Sequence, residues 1–493
     1  MSTLGLVERF SCFKRREFIK IMVTGLGGIP MAERLFAKKD ERADNPNIIL
    51  CMTDDQGWGD TGYNEHPILK TPNLDRMANE GIQFNRFYSG APVCSPTRGS
   101  CLTGRHPYRY GIFFANEGHM KREEITLAEV LKAQGYITGH FGKWHLGTLT
   151  TKIKDSNRGR PGDDTHYSPP WENGFDVCFS TEAKVPTWDP MRKPTDKVPN
   201  WGWEYLKQDD PAVEYGTHYW DGPDSIVTDN LSGDDSRIIM DRAIPFIEGA
   251  TAKRQPFFAV IWFHAPHLPV VTGAEYARSY GEFELYKRNY YGCITAMDAQ
   301  MGRLLAKLEE LGAANNTMLW FCSDNGPEGK ADSAPGSAGI LRGRKRSLYE
   351  GGVRVPGLLI WPDRIAASQM VNIPCVTSDY FPTVMDVLGY RLPAAETRPY
   401  DGISLLPLID GQMTERPRPI GFESRRQVSL TDNRYKIYSP DDGETFELYD
   451  LIEDPSEEND LAVEKPDIVS RMSGLLNQWR QSCLESNQGR DYR

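Results

Sequence analysis

Asp54-Asp55 and Asp324-Asn325 offer only oxygen donors. Hard cations such as calcium and magnesium prefer such ligands, whereas zinc and copper prefer imidazole or thiolate. Taken singly, each pair has a plainer reading. Aspartate is common at helix N-caps and turns, and Asp324-Asn325-Gly326 spells a tight turn. Two such pairs, both just past predicted strands, favour a metal site. Lys143, His145, His267 and Lys345 suit an anion, since each can donate to sulfate or phosphate oxygens. Each of them alone also reads as a surface lysine or a structural histidine. Three of the nine histidines, His145, His264 and His267, follow predicted strands, and that enrichment points toward a shared site.

The most specific run is Cys94-Ser95-Pro96-Thr97-Arg98-Gly99-Ser100-Cys101-Leu102-Thr103-Gly104-Arg105. A thiol ahead of a helix, with Arg98 nearby, has the makings of an activated nucleophile, because helix N-termini and arginine both lower a thiol pKa. The residues alone leave two readings open, a working thiolate and a chemically modified cysteine.

These clusters need a scaffold that brings them together. Four apolar runs precede them: 47–52, 136–141, 257–263 and 318–322. Continuous apolar runs read as strands of a parallel sheet covered on both faces. Helical patterns at 127–134 and 291–311 lie between them. The alternation predicts an α/β fold with a large, mostly parallel central sheet flanked by helices. In such sheets ligands bind outside the carboxyl ends of the strands, which is where the clusters fall. A polar stretch, 148–224, carries five of the eleven tryptophans. It reads either as a sugar-stacking surface or as a packed insertion. Past Gly411, short strands at 417–438 and 446–451 and an amphipathic helix at 466–481 predict a smaller C-terminal α+β domain with a short antiparallel sheet. The expected organisation is a leader over 1–37, a large domain over 46–413 containing the insertion, and a small domain over 414–493.

The 493 residues, 39% hydrophobic and 25% charged, suit a globular chain of this size, and the net charge of -11 argues against general binding to nucleic acid or anionic lipid. The nine cysteines are scattered and form no disulfide-scaffold pattern. Lys14-Arg15-Arg16 ahead of the short apolar segment 21–30 resembles a twin-arginine export signal, with cleavage near Phe36-Ala37-Lys38. That segment is too short for a stable membrane span. The expectation is an exported, periplasmic protein.

The whole ordered set of motifs resembles the type I sulfatases of the alkaline phosphatase-like superfamily. The resemblance rests on Thr53-Asp54-Asp55, the Cys94–Arg105 run, Gly142-Lys143-Trp144-His145-Leu146-Gly147, His264-Ala265-Pro266-His267, Ser323-Asp324-Asn325-Gly326, Lys345 through Gly352, and Glu447-Leu448-Tyr449-Asp450-Leu451. Cys101 departs from it, standing where the family usually has an aliphatic residue. The resemblance implies a sulfuric ester hydrolase acting on a sulfated carbohydrate, matured by a formylglycine-generating enzyme that converts Cys94 to Cα-formylglycine. Hydrated to a geminal diol, that residue would attack sulfur with one hydroxyl and expel sulfate with the other. The resemblance also implies one calcium ion on Asp54, Asp55, Asp324, Asn325 and the converted Cys94. Arg98 would orient the diol, Lys143 and Lys345 would bind sulfate oxygens, and His145 would act as base. His267 would donate to the leaving oxygen, with His264 grouped beside it for substrate binding. Phosphate or phosphonate ester hydrolysis on the same scaffold is the nearest alternative. A silent carbohydrate-binding relative and a hydrolase using the bare Cys94 thiol are two more.

Overall fold

All four apolar runs form strands in the computed structural model, which describes residues 45–492. The leader motif lies outside the described residues. β1 spans Asn47–Thr53, α1 Cys94–Thr103, α2 Leu127–Ala133, β2 Ile137–Lys143, β3 Val177–Thr181, α3 Asp235–Ala252, β4 Phe257–Trp262, α4 Leu285–Glu310, β5 Thr317–Ser323 and β6 Gly357–Ile360. Strands β5, β1, β4, β2 and β3 lie side by side in that order, all parallel. They are the centre of a sheet that has ten strands among the described residues, with β6 antiparallel beside β5. The expected α/β architecture is therefore present.

Both faces of the sheet are buried, as continuous apolar runs require. Successive side chains alternate between faces. Ile48, Leu50 and Met52 join one hydrophobic cluster, while Ile49 and Cys51 join the other. Two helices depart from the sequence expectation. α4 begins at Leu285 rather than 291, because the Glu284 carboxylate accepts hydrogen bonds from the backbone N–H groups of Tyr286 and Lys287 and caps the helix early. α3 was not expected at all; its pattern is interrupted by Pro245, a residue that normally breaks helix interiors.

The tryptophan-rich segment is packed structure. Trp220 is buried and donates its Nε1–H to Asp155 at 3.1 Å, and Trp201 stacks on Tyr286 with ring centres 5.1 Å apart. None of the five tryptophans lines the cavity around Cys94.

Near the carboxyl end, β7 (Ile420–Ser424), β8 (Gln427–Thr431), β9 (Tyr435–Ser439) and β10 (Glu447–Asp450) form an antiparallel sheet in sequence order. The helix α5 (Pro466–Asn487) covers it, with Met472 and Leu476 packed against Val428, Leu430, Ile437 and Leu448. A buried ion cluster ties this sheet to the segment that carries Lys345. The Lys436 ammonium on β9 lies 3.0 Å from Glu350 and 2.9 Å from Glu457, and the Tyr88 hydroxyl donates to Glu350 at 2.8 Å. Removing one member of such a cluster leaves buried charge without a counter-ion. Lys436→Met is therefore expected to lower unfolding free energy by about 3 kcal/mol, read as an earlier urea midpoint with unchanged slope.

Candidate active site

Strand register explains why residues so distant in sequence meet. Met52 pairs with Trp262, Thr53 with Ser323, Trp262 with Gly142, and Lys143 with Thr181. The residues that follow these pairs leave the sheet at one level, at the carboxyl ends of the strands. The ladder continues one step further: Asp54 N–H donates to the Ala265 carbonyl and Asp324 N–H to the Thr53 carbonyl, both at 3.1 Å. Gly142 is required for the close approach of β2 to β4. It holds φ of +102°, and a Cβ there would stand 1.9 Å from the Trp262 carbonyl oxygen.

The acidic residues form a dry cluster. Asp54, Asp55, Asp324 and Asn325 are all fully buried. The Asp55 backbone, in the left-handed region that aspartate tolerates, donates its N–H to Asp324 Oδ1 at 3.1 Å. The Asn325 amide donates to Asp55 Oδ1 at 2.7 Å. Two buried oxygens, Asp54 Oδ1 and Asn325 Oδ1, accept no hydrogen bond. Unsatisfied buried acceptors are costly, and a bound cation is the natural partner for oxygens held this way. One carboxylate oxygen each from Asp54 and Asp324 and the Cys94 Sγ lie within 4.8 Å of one another. The four oxygen-bearing residues thus fit a hard divalent ion, and position 94 would join them only with oxygen in place of its sulfur.

Cations ring this cluster. Lys143 Nζ lies 2.6 Å from Asp54, Lys345 Nζ 2.6 Å from Asp55, and Arg98 Nη2 2.6 Å from Asp324. Arg98 also donates to the Lys143 carbonyl at 3.1 Å and stands over the Trp262 ring, which fixes its plane. Burial pushes the Asp54 carboxyl up, but Lys143, His267 and Arg98 outweigh it and hold it well below the usual carboxylate range. Burial, with Asp54 alongside, pushes Asp324 up to about 7. Burial alone would lower the Lys345 ammonium, yet Asp55 raises it on balance.

Cys94 is the first residue of α1, whose ten residues are all buried. The N-terminus of α1 presents free N–H groups and the positive end of its dipole, a setting that favours anions. The thiol itself is pushed up by burial, against the pull of Lys143 and Lys345. Among the described residues no histidine hydrogen-bonds its Sγ, so the bare-thiol reading lacks both a thiolate and a base. Cys101 packs at the core of the same helix, fully buried, so its departure from an aliphatic residue costs little.

The histidines divide into two roles. His145 Nε2 donates to the Asn116 Oδ1 at 2.9 Å, which leaves Nδ1 as a lone pair, buried and without a partner. Burial holds this imidazole well below the usual histidine range, so it is neutral, with the Nδ1 lone pair free to accept a hydrogen bond. His267 Nδ1 donates to the Leu268 carbonyl at 2.7 Å, leaving Nε2 directed toward Asp55 at 3.7 Å. Burial pushes His267 down to about 4. His264 corrects the sequence expectation. It is fully buried, bonded to Asp235 through Nδ1 and to Thr181 through Nε2, each at 2.8 Å. Both ring nitrogens are engaged, so it braces the loop before His267.

A cavity of about 290 Å³ opens over Cys94, and His145, His267, Lys143 and Lys345 line it. Asn116, Asn157, Lys184, Glu328 and Arg346 line it as well. Sequence reasoning missed all five. Lys184 follows β3, a strand hidden in the irregular segment, and Asn116 sits in a loop with no periodic signal.

A sulfatase family model matches residues 46–390, and an N-sulphoglucosamine sulphohydrolase C-terminal model matches 343–482. The chain is 34% identical over 410 residues to the N-acetylgalactosamine-6-sulfatase of Mus musculus, covering 80% of this chain and 72% of that protein. Against arylsulfatase G of Rattus norvegicus it is 32% identical over 429 residues, covering 80% and 75%. A solved chain from work on the metabolism of multiple glycosaminoglycans by Bacteroides thetaiotaomicron superposes with a TM-score of 0.70 at 25% identity, covering 89% of this chain and 100% of that one.

Proposed function

The chain belongs to the sulfatase family and is a sulfate ester hydrolase, and from that premise we propose that it desulfates a saccharide using Cys94 converted to Cα-formylglycine and one calcium ion. The observation that carries the metal is the pair of unpartnered buried oxygens, Asp54 Oδ1 and Asn325 Oδ1, in a cluster where Asp54, Asp324 and Cys94 each bring a ligand atom within 4.8 Å of the others. When bound, calcium would offset the charge that grows on sulfate oxygens and on the nucleophile. Hydrated formylglycine would supply one hydroxyl to attack sulfur and a second whose collapse releases sulfate.

The chain's own residues account for the rest. Lys143 and Lys345 are tied to Asp54 and Asp55; carboxylates engaged by a cation release both ammonium groups toward sulfate oxygens. Arg98, clamped by Asp324 and Trp262, keeps a buried Nε–H without a partner and would orient the diol. His145, with its Nδ1 lone pair fixed by Asn116, takes the proton that must leave the second hydroxyl. Neutral His267 carries its proton on Nδ1, so it donates to the leaving oxygen through Nε2 only when protonated. An anionic ester beside it favours that form. The substrate class follows the relatives named for N-acetylgalactosamine 6-sulfate and for glycosaminoglycan metabolism. Export to the periplasm, the leader over 1–37 and a small domain over 414–493 complete the reading. No described helix is long and apolar enough to cross a membrane.

Mass spectrometry of the peptide containing Cys94, from protein coexpressed with a maturation enzyme, is the direct test. Conversion of thiol to aldehyde is expected to remove about 18 Da before hydration, as sulfur and two hydrogens leave and one oxygen enters. An unmodified thiol in fully active protein would overturn the mechanism. Phosphate-ester hydrolysis is separated by rates on 4-nitrophenyl sulfate and 4-nitrophenyl phosphate, with the sulfate expected to be faster.

A further inference from the structure

Lys184 lies three residues past the end of β3, at the same carboxyl edge of the sheet as Lys143. It is half-buried and lines the cavity that holds Cys94. The other cations there are all engaged: Lys143 by Asp54, Lys345 by Asp55, Arg98 by Asp324, and Arg346 by Glu328 at 2.7 Å. Among the described residues the Lys184 ammonium has no hydrogen bond and no ion pair. A half-buried ammonium without a counter-ion is unfavourable unless something brings one.

The charge balance shows what that partner is. Asp54, Asp55 and Asp324 face Arg98, Lys143 and Lys345, while Glu328 faces Arg346, so these groups cancel. Lys184 is the excess. A divalent ion in the acidic cluster adds two positive charges, and one sulfate monoester returns only one negative charge. A substrate with a single anionic group therefore leaves the cavity strongly positive. Burial, with Lys143 and Lys345 close by, draws the Lys184 ammonium below its ordinary range, as expected of a site short of anions.

Building on the sulfatase reading, we propose that Lys184 binds a second anionic group of the substrate, so that the scissile sulfate is carried on a saccharide bearing a further sulfate or carboxylate. The ammonium would make a charge-assisted hydrogen bond to that oxyanion. Lys184 is then a specificity residue and takes no part in bond cleavage.

The test compares N-acetylgalactosamine 6-sulfate with two substrates that add one charge: N-acetylgalactosamine 4,6-disulfate and a uronic acid disaccharide of N-acetylgalactosamine 6-sulfate. The wild-type protein is expected to prefer at least one doubly anionic substrate, and which one distinguishes sulfate from carboxylate. Lys184→Gln is expected to reduce that preference in kcat/KM by roughly tenfold, through KM more than kcat. Lys184→Arg, which keeps the charge, should restore most of it. An unchanged preference in Lys184→Gln, or equal loss on all three substrates, would overturn the proposal. Equal loss would place Lys184 on the scissile sulfate. The same ratios are read without chemistry by titration calorimetry on protein made without a maturation enzyme. A protein that turns over nothing but shows the Lys184-dependent binding ratio defeats the hydrolase reading alone. A protein that turns over sulfate with an unmoved ratio defeats the Lys184 proposal alone.

Discussion

Cys94→Ser is expected to lower steady-state sulfate release by roughly 10⁴- to 10⁶-fold, the scale seen when a covalent nucleophile is removed. The exchange is nearly isosteric at a buried helix N-terminus, so the fold and the thermal midpoint should hold. The Asp54–Asp324 cluster, Lys143, Lys345 and the dipole of α1 all remain, so the ester should still bind. What serine lacks is the second hydroxyl. Once sulfated, it has no internal group whose collapse expels sulfate, and the enzyme stalls after one event. The expected signature is at most one equivalent of alcohol released per protein, with a stable mass increase of one sulfo group on the peptide containing residue 94. Multiple turnovers by the serine variant would rule out formylglycine as the working nucleophile. The Cys94 thiol in its present surroundings is a poor substitute, because burial pushes its pKa up and, among the described residues, no histidine hydrogen-bonds Sγ.

The parts of the site that were legible in the sequence share one physical origin. β1, β2, β4 and β5 are buried on both faces, so each had to be a continuous apolar run, and such runs are visible without a structure. Each ends in polar residues that a parallel sheet must place at one edge. Asp54, Asp324, Lys143 and His267 were therefore recoverable, and so was their convergence. The residues that escaped detection lack that coupling. Asn116 fixes the tautomer of His145 from a loop whose neighbours Phe114 and Glu117 form only an isolated bridge. Lys184 depends on β3, whose five residues, Val-Cys-Phe-Ser-Thr, are too short and mixed to stand out from the surrounding insertion. His264 misled for a related reason. It follows β4 as His267 does, but its loop turns inward and spends both ring nitrogens on Asp235 and Thr181. Position after a strand tells which residues reach the sheet edge, while the loop's own hydrogen bonds decide which of them face the cavity.

Calcium is expected to stabilise the protein strongly at pH 8 and weakly at pH 5.5. Without metal, Asp324 is pushed up to about 7 by burial and by Asp54, whereas an unfolded aspartate titrates near 3.9. The folded state therefore binds the extra proton between these values. This group favours folding fully below about pH 4 and ceases to do so as pH rises through about 7. Above that pH the metal-free protein holds Asp54 and Asp324 ionised side by side, a repulsion that a divalent cation removes. Below it, calcium must displace the proton first, so its affinity should fall by up to about tenfold per pH unit. Differential scanning calorimetry with calcium at roughly one hundred times its dissociation constant should show a gain of about 3 kcal/mol at pH 8, shrinking steadily toward pH 5.5 at the same calcium concentration. Asp324→Asn, which cannot hold that proton, should flatten the pH dependence of binding while weakening it overall, and should lose activity on the order of 10³-fold for want of a ligand. Affinity that stays level from pH 5.5 to 8 in the parent protein would remove Asp324 from the ligand set. Activity untouched by exhaustive chelation would remove the metal, leaving the side-chain cations around Cys94, Arg98, Lys143 and Lys345 among them, to offset charge on the sulfate.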